Sequence, residues 1–144
     1  MDKAEKRVLI VDDDDAIRAL LMTILRRRGF DVDVARNGAE ALERLTRCHY
    51  ALMLLDLMMP KVNGWEVLAE IAGHDRETRP VVIVLTAGSE PRDLNADLVA
   101  GTMRKPFDVE LLLDSVTACI AALSPRPQMR NCPPPDSARK GTAR

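Results

Sequence analysis

The chain is poor in the residues that mark many specialised sites. It has two histidines, three cysteines and a formal net charge of -1, and no apolar run approaches the length of a membrane span. Cys48, Cys119 and Cys132 are odd in number and widely spaced, with no CxxC pair and no paired histidines to complete a zinc set. They predict reduced structural thiols in a cytosolic protein. His49 and His74 have no sequence partner that would make either a catalytic base. The N-terminal MDKAEKRVLIVDDDD lacks a signal-peptide core, and the longest apolar stretches, 50–55 and 81–85, are far too short to span a bilayer. The expected location is therefore cytoplasmic, without membrane insertion. With 21 basic and 22 acidic residues, the chain has no global attraction to nucleic acid or to an anionic membrane.

The 144 residues are enough for one ordinary domain, and a hydrophobic content of 47% beside 30% charged residues supports a real core. Charge is unevenly spread. Residues 124–144 carry +4 and five of the nine prolines, which leaves -5 on residues 1–123. The expected organisation is a short lead (1–6), a folded domain (7–123) and a disordered, Pro-rich basic tail (124–144).

Short apolar runs alternate with helical patterns along the folded part, the order expected of strand-helix units with a parallel sheet. Strands are predicted at 8–11, 30–34, 50–55, 81–85 and 102–105. Ile17, Leu20, Leu21, Ile24 and Leu25 outline a first helix, with Asp15 placed to cap it and Gly29 to end it. Ala41, Leu42 and Leu45 mark a second; Trp65, Leu68 and Ile71 mark a third. A short fourth would start at Pro91 and stop near Gly101, and a fifth, capped by Asp108, would present Val109, Leu112, Leu113 and Val116.

In an open parallel sheet, ligands bind beyond the carboxyl ends of the strands. The residues expected there are Asp12 to Asp15 after the first strand, Asp56 after the third, Thr86 after the fourth and Lys105 after the fifth. Carboxylates gathered at one edge repel each other, by roughly 4 kcal/mol per pair at 4 Å and an effective dielectric near 20. Mg²⁺ suits such an edge, because it takes a few carboxylates while keeping water and phosphate oxygens. With both anions neutralised, a remaining carboxylate can attack phosphorus, while a hydroxyl and an ammonium spread the remaining charge. The product would be an aspartyl phosphate.

The segments VLIVDDDDAIRALL, YALMLLDLMMPKVNGWEVL, VVIVLTAG and RKPFDVELL resemble, in order, the signature segments of the response-regulator receiver domain of two-component systems. The resemblance covers about residues 7–123. It implies an α/β fold of the flavodoxin-like, doubly wound kind, (βα)5 with a parallel sheet of order 2-1-3-4-5. It further implies that Asp56 is the phosphoacceptor, that Asp13 and Asp56 ligate Mg²⁺ by side chain and Met58 by its backbone carbonyl, and that Asp12 acts through a metal-bound water. Thr86 and Lys105 would contact the phosphoryl group, and Lys105-Pro106 would be a cis peptide. The implied partners are a sensor histidine kinase or phosphotransfer protein and an unnamed downstream protein, with a homodimer as a further option.

Two features depart from the family pattern. Thr86 and Lys105 are only 19 positions apart, closer than usual, and Thr102 stands where the family has a switching aromatic side chain. The leading expectation is a single-domain response regulator that signals through a phosphorylation-dependent protein contact and is not otherwise an enzyme. The Pro-rich end offers no helix-turn-helix unit for direct DNA binding. Two alternatives stand beside it. One is a receiver-like scaffold indifferent to phosphorylation. The other is a phosphatase of the haloacid-dehalogenase type, whose DxD arrangement Asp12 and Asp14 partly imitate, although it needs an acidic pair after its lysine and leaves Asp56 without a role.

Overall fold

A strand buried on both faces needs apolar residues at every position rather than at alternate ones, and the runs around Val8, Leu52 and Val81 meet that requirement. The computed structural model describes residues 6–57, 63–88, 94, 96–123 and 128–138. In it β1 (Arg7–Val11), β2 (Asp31–Ala35), β3 (Leu52–Asp56), β4 (Val81–Thr86) and β5 (Val99–Arg104) form one sheet of order β2-β1-β3-β4-β5. Every pairing is parallel. Around it lie α1 (Asp15–Arg27), α2 (Gly38–Arg47), α3 (Gly64–Ala72) and α4 (Val109–Ala121).

Successive residues of each strand point to opposite faces. Leu9, Val11, Met53 and Leu55 pack with Ala41, Leu45, Val67 and Ile71 of α2 and α3. Val8, Ile10, Leu52 and Leu54 pack with Leu21 and Leu25 of α1 and with Leu112 and Val116 of α4. Capping side chains fix where the helices begin. Asn37, Asn63 and Asp108 accept from the first-turn amides of α2, α3 and α4. In α1 the cap is Asp14, which accepts from Ala16 and Ile17, rather than the expected Asp15. Trp65, one of the apolar residues that mark α3, is 39% exposed.

The stretch between β4 and β5 differs from expectation. Strand β5 begins at Val99 rather than Thr102, and its register shifts so that Val82 faces Val99 while Ile83 faces Gly101. The earlier start and a turn at 96–98 use residues that the short fourth helix would have occupied. The remainder of that predicted helix, residues 91–93 and 95, lies outside the described residues.

The tail expectation is corrected for residues 128–138, which fold back along the free edge of β2. The outward amides of this edge strand find acceptors: Val32 N–H donates to Ser137 Oγ (2.9 Å) and Val34 N–H to Asp136 Oδ2 (3.0 Å). Gln128 donates to the carbonyl of His49 and accepts from its amide. Cys132 is joined to Cys48 in a disulfide across 84 positions, so the expectation of reduced thiols holds only for Cys119. In the chain-entropy account, closing a loop of this size stabilises by about 4–5 kcal/mol. Prolines and scattered polar residues carry no apolar periodicity, which is why composition read this segment as unstructured.

Under the segment lies a closed set of charges. Asp33 is fully buried and accepts from Arg7 Nη2 (2.7 Å), Arg7 Nε (3.0 Å), the Tyr50 hydroxyl (2.5 Å) and the amide of Asp136 (2.8 Å). Arg44 pairs with Asp136 at 2.9 Å and stands 3.7 Å from Asp33. The Arg7 guanidinium also lies 5.8 Å from the centre of the Tyr50 ring.

Two outcomes are expected. Asp33→Ala leaves Arg7 buried without its counter-charge and should destabilise by about 3–5 kcal/mol in urea titration. Burial, and then the charge on Asp33, hold the Tyr50 phenol well above the ordinary tyrosine range. A raised folded-state pKa contributes stability that is fully present below the unfolded value, about pH 10, and is lost as pH rises above it. The urea midpoint of the wild type should therefore fall more steeply above about pH 10 than that of Tyr50→Phe.

Candidate functional site

The parallel register places the strand ends side by side. Val11 pairs with Leu55, Asp56 with Leu85 and Thr86 with Arg104. The residues at or just beyond those ends, Asp12, Asp56, Thr86 and Lys105, therefore share one edge. Asp12 extends the ladder, its amide donating to the Ala35 carbonyl at 3.2 Å. The Lys105 amide donates to the Thr86 carbonyl at 2.7 Å. Asp56 and Thr86 are the last residues of their strands rather than the residues that follow them.

Asp12 is fully buried, Asp56 is 5% exposed and Thr86 is 7% exposed. Asp13 faces solvent. One oxygen from each of Asp12, Asp13 and Asp56 lies within 4.8 Å of the others. At that separation each like-charged pair is opposed by roughly 3–4 kcal/mol at an effective dielectric of 20. Lys105 is the compensating group: its ammonium donates to Asp12 Oδ2 at 2.7 Å and lies 3.4 Å from Asp56 Oδ2. Burial pulls its pKa down, but the hydrogen bond to Asp12 and the charges of Asp12 and Asp56 outweigh that, so it is held above the ordinary lysine value. The cluster formally carries three negative charges and this one positive charge. A hard divalent cation fits the remaining pair of charges and the all-oxygen donor set.

Three supports shape the edge. Asp12 Oδ1 accepts from the amide of Asp14 (2.9 Å), which turns the chain into α1. Arg18 Nη1 donates to the Asp12 carbonyl (2.7 Å), and its guanidinium also pairs with Asp15. Gly64 lies against the chain leaving β3, where a Cβ would stand 2.5 Å from Leu57 Cα and 2.7 Å from the Asp56 carbonyl oxygen. Sequence reasoning missed Arg18 and the capping role of Asp14, which faces solvent. The available signal was spacing: a basic residue one helical turn into α1 can reach back over the preceding loop. Met58 lies outside the described residues, and Lys105-Pro106 is cis. Thr102 is half-buried in β5 opposite Val84.

Fold and edge together define a flavodoxin-like α/β domain with an acidic site at the carboxyl ends of its strands. The response regulator receiver domain family matches residues 8–117, and the chain belongs to it. Among curated relatives, a transcriptional regulatory protein CpxR homolog of Haemophilus influenzae is 41% identical over 117 residues, which are 79% of this chain and 50% of that protein. Transcriptional regulatory protein ResD of Bacillus subtilis is 37% identical, over 83% of this chain and 50% of that protein. The chain thus spans about half the length of these relatives. Among solved structures, the response regulator TrrA of Thermotoga maritima, in complex with Mg²⁺ and BeF, superposes with a TM-score of 0.71 at 36% identity, covering 79% of this chain and 98% of that one. A receiver domain protein of Methanospirillum hungatei gives 0.72 at 31% identity, covering 81% and 95%. Receivers are signalling domains, and phosphorylation on aspartate and Mg²⁺ binding at the acidic pocket are general to the family. Among the described residues, no helix is long and apolar enough to cross a membrane.

The crowded carboxylates give a stability signature. Asp13→Asn should raise the urea midpoint of the metal-free protein by relieving repulsion, and should keep less than half of the further rise that Mg²⁺ gives the wild type.

Proposed function

We propose that Asp56 accepts a phosphoryl group from the phosphohistidine of a sensor histidine kinase or phosphotransfer protein. The observation that carries this reading is the gathering of Asp56, nearly buried, with Asp12 and Asp13 around the Lys105 ammonium. Asp13 and Asp56 would hold Mg²⁺ by side chain, Asp12 through a water, and Met58 by its carbonyl, as in the family. When bound, the metal neutralises the reacting anions and aligns them.

A carboxylate oxygen of Asp56 attacks phosphorus in line with the leaving imidazole. An O–P bond forms and the P–N bond breaks, its electron pair remaining on the imidazole nitrogen. The Thr86 hydroxyl donates to one phosphoryl oxygen. The Lys105 ammonium, already charged, neutralises another. Arg18 holds the Asp12 carbonyl, and Gly64 lets α3 start close against Asp56 and Leu57. The chain catalyses only its own phosphotransfer and dephosphorylation, and works in the cytoplasm. Its output is a phosphorylation-dependent protein contact.

A second reading, a scaffold indifferent to phosphorylation, is favoured by Thr102 at the switch position and by the shifted register of β5. Thr102 lies two residues before the carboxyl end of β5, toward the edge where a phosphoryl group would be sensed, and the register shift lies at the amino end of the same strand.

Incubation with acetyl phosphate and Mg²⁺ followed by intact mass measurement separates these readings in part. The wild type should gain one phosphoryl group, Asp56→Asn should gain none, and a chelator should abolish the gain. An adduct that persists in Asp56→Asn would remove the assignment to this residue. Partner binding unchanged by Asp56→Asn would favour the scaffold.

A further inference from the structure

The disulfide joins the body of the domain to a segment whose other attachments are mainly polar. Cys48 ends α2, with its amide bonded to the Arg44 carbonyl (3.0 Å), and is 2% exposed; Cys132 is half-buried within residues 128–138. Cys132 is also the one described residue of that segment that packs against the apolar core. The remaining attachments are polar: Gln128 to His49, Pro133 to Arg7, Asp136 to Val34, Arg44 and Asp33, and Ser137 to Val32. Each adds little net, because water competes for the same groups once the segment lifts.

The disulfide also sets the local concentration of these polar groups. With it closed, the tether to Asp136 runs from Cys132, four residues away; with it open, it runs from Leu123 at the end of the last helical stretch, thirteen residues away. The shorter tether raises the effective concentration roughly sixfold on the three-halves power of length. Cys48 and Pro133 line an open cleft of about 470 Å³ beside α2, which gives a small reductant a path to the bond.

We propose that Cys48–Cys132 is a reversible redox site, reduced by a dithiol, whose state decides whether residues 128–138 cover the edge of β2. A thiolate of the dithiol attacks one sulfur, breaking the Cys48–Cys132 bond and forming a mixed disulfide. The second thiolate of the dithiol then releases the cysteine. The protein gains two electrons and two protons as two thiols, and the dithiol loses them as it closes to its own disulfide. Opening uncovers the amides of Val32 and Val34 and the solvent side of the Asp33–Arg44 pair. The surface beside α2 thus differs between the two states. In a reducing compartment the open form is the resting one, and closure reports oxidation. This site is separate from the acidic edge and does not depend on phosphorylation of Asp56.

The test uses the full chain with reduced or oxidised dithiothreitol, alkylation of free thiols read by mass, and amide hydrogen exchange read residue by residue. The oxidised chain should be alkylated at Cys119 alone and should protect Val32 and Val34. The reduced chain should be alkylated at three sites, with protection of those two amides roughly tenfold lower, while Leu54 in the central strand stays protected and follows only the change in global stability. Cys132→Ser should be alkylated at Cys48 and Cys119 and show the low Val32 and Val34 protection of the reduced chain with or without reductant, and Cys119→Ser should switch as the wild type does. Alkylation of all three thiols under oxidant would overturn the proposal. So would equal protection of Val32 and Val34 in both states. Exchange of Leu54 at the rate of an unfolded chain on reduction would overturn it as well, because the bond would then hold up the whole domain rather than switch one edge.

Discussion

Two buried carboxylates share the carboxyl edge of this sheet because the parallel register puts them there. Once Val11 lies opposite Leu55, the next residues outward are both aspartates, and their mutual repulsion comes with the pairing of β1 and β3. Lys105 offsets it by reaching from the far end of β5, and its position depends in turn on the Thr86 carbonyl that holds its amide. Sheet order, carboxylate cluster and lysine are therefore one arrangement. If β5 slipped against β4, the ammonium would be displaced and two nearly buried anions would be left facing each other.

That dependence explains why the local irregularity of β5 lies where it does. The register shifts between Val82 and Ile83, at the amino end of the pair, while Thr86 and Arg104 remain aligned at the carboxyl end. A strand can absorb an extra residue at its start without moving the side chains at its end. The irregularity thus leaves the edge that carries the chemistry aligned.

Much of this was legible from the order of residues. The runs that became β1, β3 and β4 are apolar at every position, and the polar residues that interrupt them, Asp12, Asp56 and Thr86, are the ones at the edge. The start of β5 was not legible, because Val99-Ala100-Gly101 has too little apolar or β-branched character to signal a strand. Nor was the choice of Asp14 over Asp15 as a cap, since in a run of four aspartates the backbone turn decides which side chain faces the helix amides. The docking of residues 128–138 escaped for a different reason. It rests on a disulfide and on hydrogen bonds to a strand edge, and neither leaves a periodic trace along the chain.

The two charge clusters of the domain show how burial and function separate. Around Asp33, the charges of Arg7 and Arg44 match those of Asp33 and Asp136, and Asp33 also accepts from the Tyr50 hydroxyl and the amide of Asp136. Arginine suits this role, since its planar fork remains charged and fills several acceptors at once. Around Asp56, Lys105 is the lysine that, among the described residues, faces the three carboxylates, one of them exposed, and its compact ammonium on a flexible stem can follow an anion that arrives. A cluster with balanced charge has no need of a ligand, so the first holds the segment and the sheet edge together. A cluster left two charges short attracts a divalent cation and, with that cation in place, a phosphoryl group. The same residue types, sorted by how completely they neutralise one another, separate the part of this domain that stabilises from the part that responds.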